Sequence, residues 1–172
     1  MSNYKRIYIP GGTYFFTLVT YRRKPVFAEK SNIAALRHAM QKVQIAKRFH
    51  IDAIVVLPDH LHSIWKLPEN DVDYSGRWRE IKKATSREIN SRSDQANERP
   101  VWQRRFWEHL IQDEEDWRRH MDYIHYNPVK HGMVTRPAHW KWSSFQKLVE
   151  RGWYEEDWGG VAPPDISGME FE

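Results

Sequence analysis

The chain contains no cysteine among its 172 residues. This absence excludes disulfide bonds, cysteine-ligated zinc and thiol catalysis, so any metal site must use histidine, carboxylate or amide ligands. Long hydrophobic runs are also missing, because no stretch approaches the roughly 20 apolar residues that span a membrane. The first residues are polar and basic, unlike a secretory signal. We therefore expect a cytoplasmic protein without a membrane partner.

Charge is spread unevenly along the chain. The sequence carries 27 basic and 23 acidic residues, for a net charge of +4. Residues 150–172 hold seven of the acidic residues and one basic residue, Arg151, which leaves a net charge of +10 on residues 1–149. A basic body with an acidic tail favours nucleic acid as the partner, although a merely soluble surface is the competing interpretation.

Hydrophobic periodicity predicts strands and helices in the order β-α-β-β-α-β-α. The predicted strands are 13–20, 51–57, 60–67 and 101–111, and the predicted helices are 31–47, 75–89 and 113–127, with a polar loop over 90–100 and Pro128 ending the last helix. This order is typical of a ferredoxin-like or RRM-like α/β sandwich, with a central antiparallel sheet and helices on one face. We expect residues 1–149 to form this catalytic domain and residues 150–172 to form an acidic, tryptophan-containing tail.

The segment His60-Leu61-His62 begins the third predicted strand. Residues two apart in a strand project from the same face, so both imidazoles point to one side and Leu61 points into the core on the other. Two adjacent imidazoles suit a divalent metal ion. Two ordinary surface histidines are the competing interpretation, since the chain has nine histidines.

The predicted helix 113–127 carries a second group of candidate residues. Its apolar stripe consists of Trp117, Met121 and Ile124. The polar side chains on the adjoining face are those of Asp116, His120, Tyr123 and Asn127. Tyr123 and Asn127 are four residues apart, so a phenol and a carboxamide are neighbours that could act as nucleophile and metal ligand. A half-buried tyrosine beside a polar helix end is the competing interpretation, and spacing alone does not exclude Tyr126 as the nucleophile.

The predicted helix 75–89 is rich in basic side chains and contains Trp78. Its basic residues are Arg77, Arg79, Lys82, Lys83 and Arg87. Basic side chains contact phosphates, and a nearby aromatic ring can stack on an unpaired base. A solvated helix face with Glu80 paired to Lys83 is the competing interpretation. A second basic and aromatic stretch places Arg104 and Arg105 between tryptophans.

Two longer motifs contain these candidates. Residues 55–62 read VVLPDHLH and residues 122–130 read DYIHYNPVK. The first resembles the His-hydrophobe-His (HUH) motif of single-tyrosine transposases, and the second resembles the tyrosine-helix motif of one branch, the REP-associated tyrosine transposases. Further similar segments are GTYFFT at 12–17, WREIKK at 78–83, WQRRFWEH at 102–109 and WSSF at 142–145. The similarity spans roughly residues 4–160 and is far more specific than the histidine pair alone.

This resemblance implies a metal-dependent endonuclease and strand transferase. His60 and His62 would bind Mg²⁺ or Mn²⁺, and Asn127 would be the third ligand. Related insertion-sequence transposases typically have glutamine four residues after the tyrosine, so the shorter Asn127 departs from their pattern. Tyr123 would attack the scissile phosphate and form a 5′-phosphotyrosine.

The resemblance also implies a partner. The family's substrates are REP sequences, short palindromes between bacterial genes that fold into hairpins. We therefore expect single-stranded or hairpin DNA as the partner, contacted by the basic residues above and by Lys130, and a location at the nucleoid of the bacterial cytoplasm. We also expect a monomer, although mobile relatives exchange tyrosine helices in dimers.

Two other functions stay open at the level of sequence. A DNA-binding regulator on the same fold would leave the histidine pair and Tyr123 unused. A metal-dependent hydrolase would use the pair to activate water but would leave Tyr123 unexplained. The acidic tail is predicted to fold back on the basic body, with its aromatic residues packing and its carboxylates shielding the DNA surface. The aromatic residues in question are Trp153, Tyr154 and Trp158.

Overall fold

The computed structural model describes residues 5–92 and 99–171. Its strands are β1 (Thr13–Val19), β2 (His50–Val56), β3 (His60–Lys66) and β4 (Trp107–Leu110). Its α-helices are α1 (Lys30–Ala46), α2 (Tyr74–Asn90), α3 (Glu114–Lys130) and the short α4 (Phe145–Glu150). The elements follow the predicted order, and the predictions for the first three strands and the first two helices are confirmed to within a residue. The loop predicted over 90–100 lies partly outside the described residues.

The strands form one antiparallel sheet in the order β2-β3-β1-β4. This arrangement confirms the predicted ferredoxin-like sandwich. The register of β1 and β3 pairs Thr17 with His62 and Val19 with His60. The beginning of β3 therefore lies beside the end of β1 in the middle of the sheet.

Both faces of this sheet are covered, which corrects the expectation of helices on one face. On β1, Tyr14 and Phe16 belong to the core shared with α1 and α2, whereas Phe15 belongs to a second core shared with α3. Successive residues of a strand point to opposite faces, so an uninterrupted apolar strand needs a covering layer on each side. The side chains of His60 and His62 point to the α3 side, and Leu61 points to the α1–α2 side.

The fourth strand is shorter than predicted. Trp102 pairs only through an isolated bridge with Thr20, and β4 begins at Trp107. Between them, the carbonyls of Gln103 and Arg104 accept hydrogen bonds from the Lys82 ammonium at 2.7 Å and 3.1 Å instead of extending the ladder. The segment 103–106 is therefore a loop at the edge of the sheet.

Helix α3 continues through Pro128, contrary to the prediction that it ends at Asn127. Proline cannot donate the backbone bond to the residue four positions earlier and disfavours the interior of a helix. Here it lies in the last turn, where His131 N–H still bonds to the Asn127 carbonyl (3.0 Å) and Met133 N–H to the Pro128 carbonyl (2.9 Å). The helix ends before Gly132, whose φ is 67°. Asn127 is therefore held inside a helical turn.

The chain after α3 wraps the second core, as predicted. Trp142 and Ser144 bond to the backbone of β2, and the rings of Tyr154 and Trp158 pack against Phe145. Trp153, by contrast, is 61% exposed. In the part of the chain that the structure describes, no helix is long and apolar enough to cross a membrane.

Candidate active site

The histidine pair lies on β3, where the sheet faces α3. His60 and His62 are buried, and their ring centroids are 5.0 Å apart with 75° between the planes. The two imidazoles therefore share one face of the strand, as the spacing predicted. They are core-facing residues rather than surface histidines.

Outer hydrogen bonds orient both imidazoles. His60 Nδ1 lies 2.6 Å from Asp59 Oδ1, and His62 Nδ1 lies 2.8 Å from Thr17 Oγ1. A carboxylate only accepts, so Nδ1 of His60 carries a proton, and in the neutral imidazole Nε2 then presents its lone pair. With Thr17 as acceptor, His62 has the same tautomer. Such outer partners are typical of histidines that bind a metal ion through the other ring nitrogen.

Asp59 remains a carboxylate in this position. Burial raises the pKa of Asp59, but hydrogen bonds from His60 and from the Arg23 guanidinium outweigh burial, and the pKa falls below its ordinary value. The Arg23 contact is 3.1 Å long. The charge that holds the His60 tautomer is therefore present at neutral pH.

Asn127 reaches the pair from α3. Its side chain is fully buried, and Oδ1 lies 3.4 Å from His60 Nε2. With His60 protonated on Nδ1, both of these atoms are acceptors. Two lone pairs at this spacing fit adjacent ligands of one cation better than they fit a hydrogen bond.

Tyr123 lies one helical turn before Asn127 on the same face of α3. Its ring centroid is 5.2 Å from that of His62, and the side chain is almost completely buried. The Lys130 ammonium donates to the Tyr123 hydroxyl at 3.3 Å and lies 5.0 Å from the ring centroid. The phenol oxygen therefore has a positive charge beside it, which favours negative charge on that oxygen.

Tyr126, the competing tyrosine, is half-buried on α3. It shares a cavity of about 350 Å³ with Tyr123, Lys130 and residues 162–164 and 166–170. The Tyr123 ring packs on His62, with 5.2 Å between the ring centroids. The geometry favours Tyr123 as the nucleophile.

The chain that carries this arrangement is similar to known transposases. Residues 10–127 match the family model described as "Transposase IS200 like". A REP-associated tyrosine transposase of Escherichia coli (strain K12) is 47% identical over 160 residues, which cover 93% of this chain and 92% of that protein. The chain belongs to the REP-associated tyrosine transposase family. It is therefore a DNA-cleaving enzyme of the transposase class.

Two further comparisons agree with this assignment. A relative from Haemophilus influenzae is 42% identical over 175 residues, which cover 98% of this chain and 99% of the relative. A solved structure, described as a REP-associated tyrosine transposase bound to a REP hairpin, is 44% identical with a TM-score of 0.85. The similarity covers 99% of this transposase and 96% of that chain, so the fold is shared along nearly the whole length.

Two of the residues predicted to contact DNA are structural in this transposase. Arg77 is 2% exposed, and its guanidinium bonds to Asp71 and to three backbone carbonyls. Trp78 is fully buried and stacks on Trp65 at 4.0 Å. Arg77 is therefore not part of the DNA surface, and Trp78 cannot stack on a base. The sequence pattern missed this because the composition of α2 does not separate its buried side, which carries Arg77 and Trp78, from its exposed side.

Lys82 is also engaged by the protein. Its ammonium holds the carbonyls of Gln103 and Arg104, and burial together with nearby Arg6 lowers the pKa of Lys82 to about 8. Lys82 therefore fastens α2 to the 103–106 loop, which leaves little capacity for a phosphate contact.

The remaining basic residues form an exposed set. They are Arg79, Lys83, Arg87, Arg104, Arg105 and Lys130. Glu80 pairs with Lys47 at 2.6 Å. The competing interpretation of α2 as a solvated face relied on a pair between Glu80 and Lys83, and that pair does not form among the described residues. Helix α2 covers the sheet face opposite Tyr123, and Arg104 with Arg105 lies in the loop before β4, at the edge of the sheet between the two faces.

Phe171 lies directly over Tyr123, with 5.1 Å between their ring centroids. Phe171 N–H donates to the Tyr123 hydroxyl at 3.3 Å, and the Phe171 ring packs against Phe15 and Trp107. The aromatic residues predicted to pack in the tail were Trp153, Tyr154 and Trp158, and Phe171 was not among them. The sequence signal for this role was an aromatic residue three positions after Gly168.

A second cluster with metal-binding side chains lies near the first. His109, Asp116 and His120 offer ligand atoms within 4.8 Å of one another. Asp116 accepts from His109 at 2.8 Å, however, and Nδ1 of His120 donates to the Asp116 carbonyl at 2.8 Å. The two rings are nearly parallel, with 15° between their planes, so their in-plane lone pairs do not converge. We describe this cluster as a hydrogen-bonded network.

Proposed function

We propose that this transposase cleaves and rejoins single-stranded or hairpin DNA through a 5′-phosphotyrosine at Tyr123. His60, His62 and Asn127 would hold Mg²⁺ or Mn²⁺ beside the attacked phosphate. REP-type hairpins are the proposed substrate, because the similar solved structure is described as bound to a REP hairpin.

The observation that carries this proposal is the convergence of β3 and α3. A phenol from the helix packs on an imidazole of the strand at 5.2 Å, and the next turn of the helix brings an amide oxygen within 3.4 Å of the other imidazole. A DNA-binding regulator would not need a nucleophile beside a ligand set. A hydrolase that activates water would not need a phenol.

The chemistry follows from these groups. An ordinary phenol, with a pKa of about 10, is a weak nucleophile at neutral pH. A bound divalent ion would neutralise charge on the non-bridging phosphate oxygens and orient the phosphorus. As the Tyr123 oxygen bonds to phosphorus and gives up its proton, the bond to the 3′ oxygen breaks and that oxygen leaves as a 3′-OH. Attack by a 3′-OH reverses the exchange, so rejoining needs no ATP.

Other side chains support this step. The Lys130 ammonium at 3.3 Å stabilises the developing phenolate. Asp59 and Thr17 keep the imidazoles oriented through bonds of 2.6 Å and 2.8 Å. Lys130 is therefore proposed as a residue of the reaction centre rather than as a distant phosphate contact.

The DNA is proposed to run along the exposed basic residues of α2, around the 103–106 loop and into the site. Arg79, Lys83 and Arg87 would hold the outer phosphates, and Arg104 with Arg105 those nearest the tyrosine. None of these five side chains forms an ion pair with a carboxylate of the described ranges 5–92 and 99–171. They are therefore available for phosphates.

Residues 150–172 are proposed to compete with DNA, and the protein is proposed to act as a monomer. The Phe171 contact to the Tyr123 hydroxyl supports the competition, because the segment occupies space that a phosphate needs. The monomer is proposed because the β3 histidines meet Tyr123 and Asn127 of α3 within one chain.

A nicking assay on a labelled REP-type hairpin tests the proposed function. The full chain is incubated with the hairpin in Mn²⁺, in Mg²⁺ and in chelator. The expected result is a covalent protein–DNA adduct that requires metal, together with a fragment that ends in 3′-OH. Binding without cleavage would instead support the regulator, and cleaved ends without an adduct would support the hydrolase.

A further inference from the structure

Four rings lie in nearly parallel planes beside the tyrosine. Trp107 and His109 project side by side from β4, with centroids 6.0 Å apart and 10° between planes. His120 lies over His109 at 4.7 Å and 15°, and Phe171 lies over Trp107 at 4.8 Å and 14°. Phe171 and His120 complete the arrangement at 5.2 Å and 17°. The Phe171 ring therefore occupies a slot with Trp107 as its floor and His120 at its side.

The ends of this slot are closed by ring edges. Phe15 meets the Phe171 ring at 57° and 5.3 Å, and Tyr123 meets it at 72° and 5.1 Å. The slot thus accepts one flat ring in one orientation, directly beside the proposed nucleophile. Phe171 comes from the last residues of the chain, after Gly168 with a φ of 77°. Phe171 lies outside the strands and helices of the described ranges.

The slot opens into a cavity of about 590 Å³. This cavity is lined by Thr17, Arg105 and Trp107 together with Glu170 and Phe171 of the tail. Glu170 and Phe171 therefore bring an anionic group and a flat ring to a cavity that contains an exposed arginine. A nucleotide has the same two parts, an anionic phosphate and a flat base.

We infer that the slot on Trp107 is a nucleobase subsite: a base next to the phosphate attacked by Tyr123 stacks on Trp107 in place of the Phe171 ring, with Arg105 on a neighbouring phosphate. This inference rests on the proposed function. Aromatic side chains that stack on unpaired bases accept any base, because every base has a π face. Stacking at this subsite therefore positions the cleaved strand but does not select one base over another.

His120 favours a base over Phe171 as the occupant. Nδ1 of His120 donates to the Asp116 carbonyl, and burial lowers the pKa of His120, so the ring is neutral and Nε2 is an acceptor. Nε2 is buried and has no hydrogen-bond partner in the part of the chain that the structure describes. A phenylalanine ring offers no donor, whereas every nucleobase has an N–H group on its edge.

The test uses hairpin oligonucleotides with an abasic site at each nucleotide flanking the cleaved phosphate. Binding to the full chain is measured by fluorescence anisotropy for wild type, Trp107→Ala and Trp107→Phe, with exposed Trp153→Ala as the control. For wild type, one abasic position should weaken binding roughly ten-fold. That penalty should vanish in Trp107→Ala, and it should persist in Trp107→Phe and in the control. Equal penalties in wild type and Trp107→Ala at every flanking position would overturn the inference.

A second measurement needs no variant and covers the case in which Trp107→Ala fails to fold. A 2-aminopurine base at the abasic-sensitive position should lose fluorescence on binding to wild type, because stacking on Trp107 quenches it. Unquenched fluorescence at all flanking positions would also overturn the inference. The Tyr123 adduct is scored on the same oligonucleotides. An adduct without quenching refutes only the subsite, and quenching without an adduct refutes only the proposed cleavage.

Discussion

Contacts from three separate parts of the chain hold the Tyr123 side chain. His62 of β3 packs on its ring, Lys130 of α3 approaches its hydroxyl at 3.3 Å, and the Phe171 N–H reaches the same oxygen at 3.3 Å. These two contacts to the hydroxyl are long for hydrogen bonds, whereas the ring itself packs on His62.

Replacing this hydroxyl is the most direct test at the residue scale. We expect Tyr123→Phe to bind hairpin DNA with an affinity within about three-fold of wild type, since the ring and its packing remain. Cleavage should fall to background, because no oxygen is left to bond to phosphorus. Tyr126→Phe is the matched control and should cleave normally. Peptide mass mapping that finds the adduct on Tyr126 would show that the nucleophile is assigned to the wrong tyrosine.

Asp122, next to the proposed nucleophile, makes stability depend on pH. Burial raises the pKa of Asp122 most, nearby Asp165 raises it further, and the Tyr154 hydroxyl bond together with Arg118 lowers it, with a result of about 6. A carboxyl group whose folded pKa lies above its unfolded value binds its proton more tightly in the folded state. Its stabilising contribution is therefore present at about pH 4 and is lost as the pH rises to about 6.

In the wild type, the Tyr154 hydroxyl donates to Asp122 Oδ1 at 2.6 Å. Asp122→Asn should remove the loss of stability at high pH, because the amide is neutral and its oxygen still accepts this hydrogen bond. We expect Tm at pH 7.5 to rise by about 2–4 °C and Tm at pH 4.5 to change little. Thermal unfolding followed by circular dichroism at both pH values measures the difference, with exposed Asp157→Asn as the control. A variant that is less stable at pH 7.5 would show that the charged carboxylate is favourable in the fold.

At the scale of elements, helix α2 has two sides with different tasks. Its inward side packs Trp78 and the paired Arg77 into the first core. Its outward side presents Arg79, Lys83 and Arg87 to solvent. The inward side of α2 therefore contributes to core packing, and the outward side is proposed to bind phosphates.

The outward side should determine how strongly DNA binding depends on salt. Replacing Arg79, Lys83 and Arg87 together by alanine should lower the log–log salt slope by about 2, since each lost phosphate contact removes about 0.7–0.9. Anisotropy titrations across a range of NaCl concentrations measure the slope. Lys42→Ala on α1 is the control and should leave it unchanged. If the triple variant keeps the wild-type slope, the DNA path lies elsewhere, and Arg104 with Arg105 would be examined next.

On the scale of the whole molecule, residues near the C-terminus cover Tyr123, although they are far from it in the sequence. Met169 is buried in the second core and Phe171 covers Tyr123, whereas Glu170 is exposed. Deleting residues 150–172 would therefore remove core packing along with any shielding. Removing only residues 170–172 takes away the Phe171 ring and leaves Met169 in the second core.

Removing residues 170–172 should raise affinity for hairpin DNA about three- to ten-fold at low salt. The apparent Kd falls when the fraction of molecules with an open site rises. The gain should shrink at high salt, because part of it comes from lost carboxylates. Phe171→Ala removes the ring but keeps the carboxylates of the tail, so comparing it with the truncation separates the contribution of the ring from that of the charges. Unchanged or weaker binding by the truncated protein, with an unchanged Tm, would leave the tail a purely structural role.

Local patterns were sufficient for much of the fold. Strand alternation placed His60 and His62 on one face, and helical spacing placed Tyr123 beside Asn127, because both periodicities act within a few residues. The same local rules were wrong at the end of α3 and at the start of the fourth strand. Pro128 stays inside α3, and the fourth strand is shortened because Lys82 takes the carbonyls of the loop before it.

The sequence by itself determined which elements form and which side chains each element presents on one face. Only the tertiary structure decided that β3 and α3 meet with Tyr123 against His62, that Arg77 is buried by Asp71, and that Phe171 lies on Trp107. These contacts join residues far apart in the chain. They depend on how whole faces pack against each other, and packing is not encoded in the spacing of neighbouring residues.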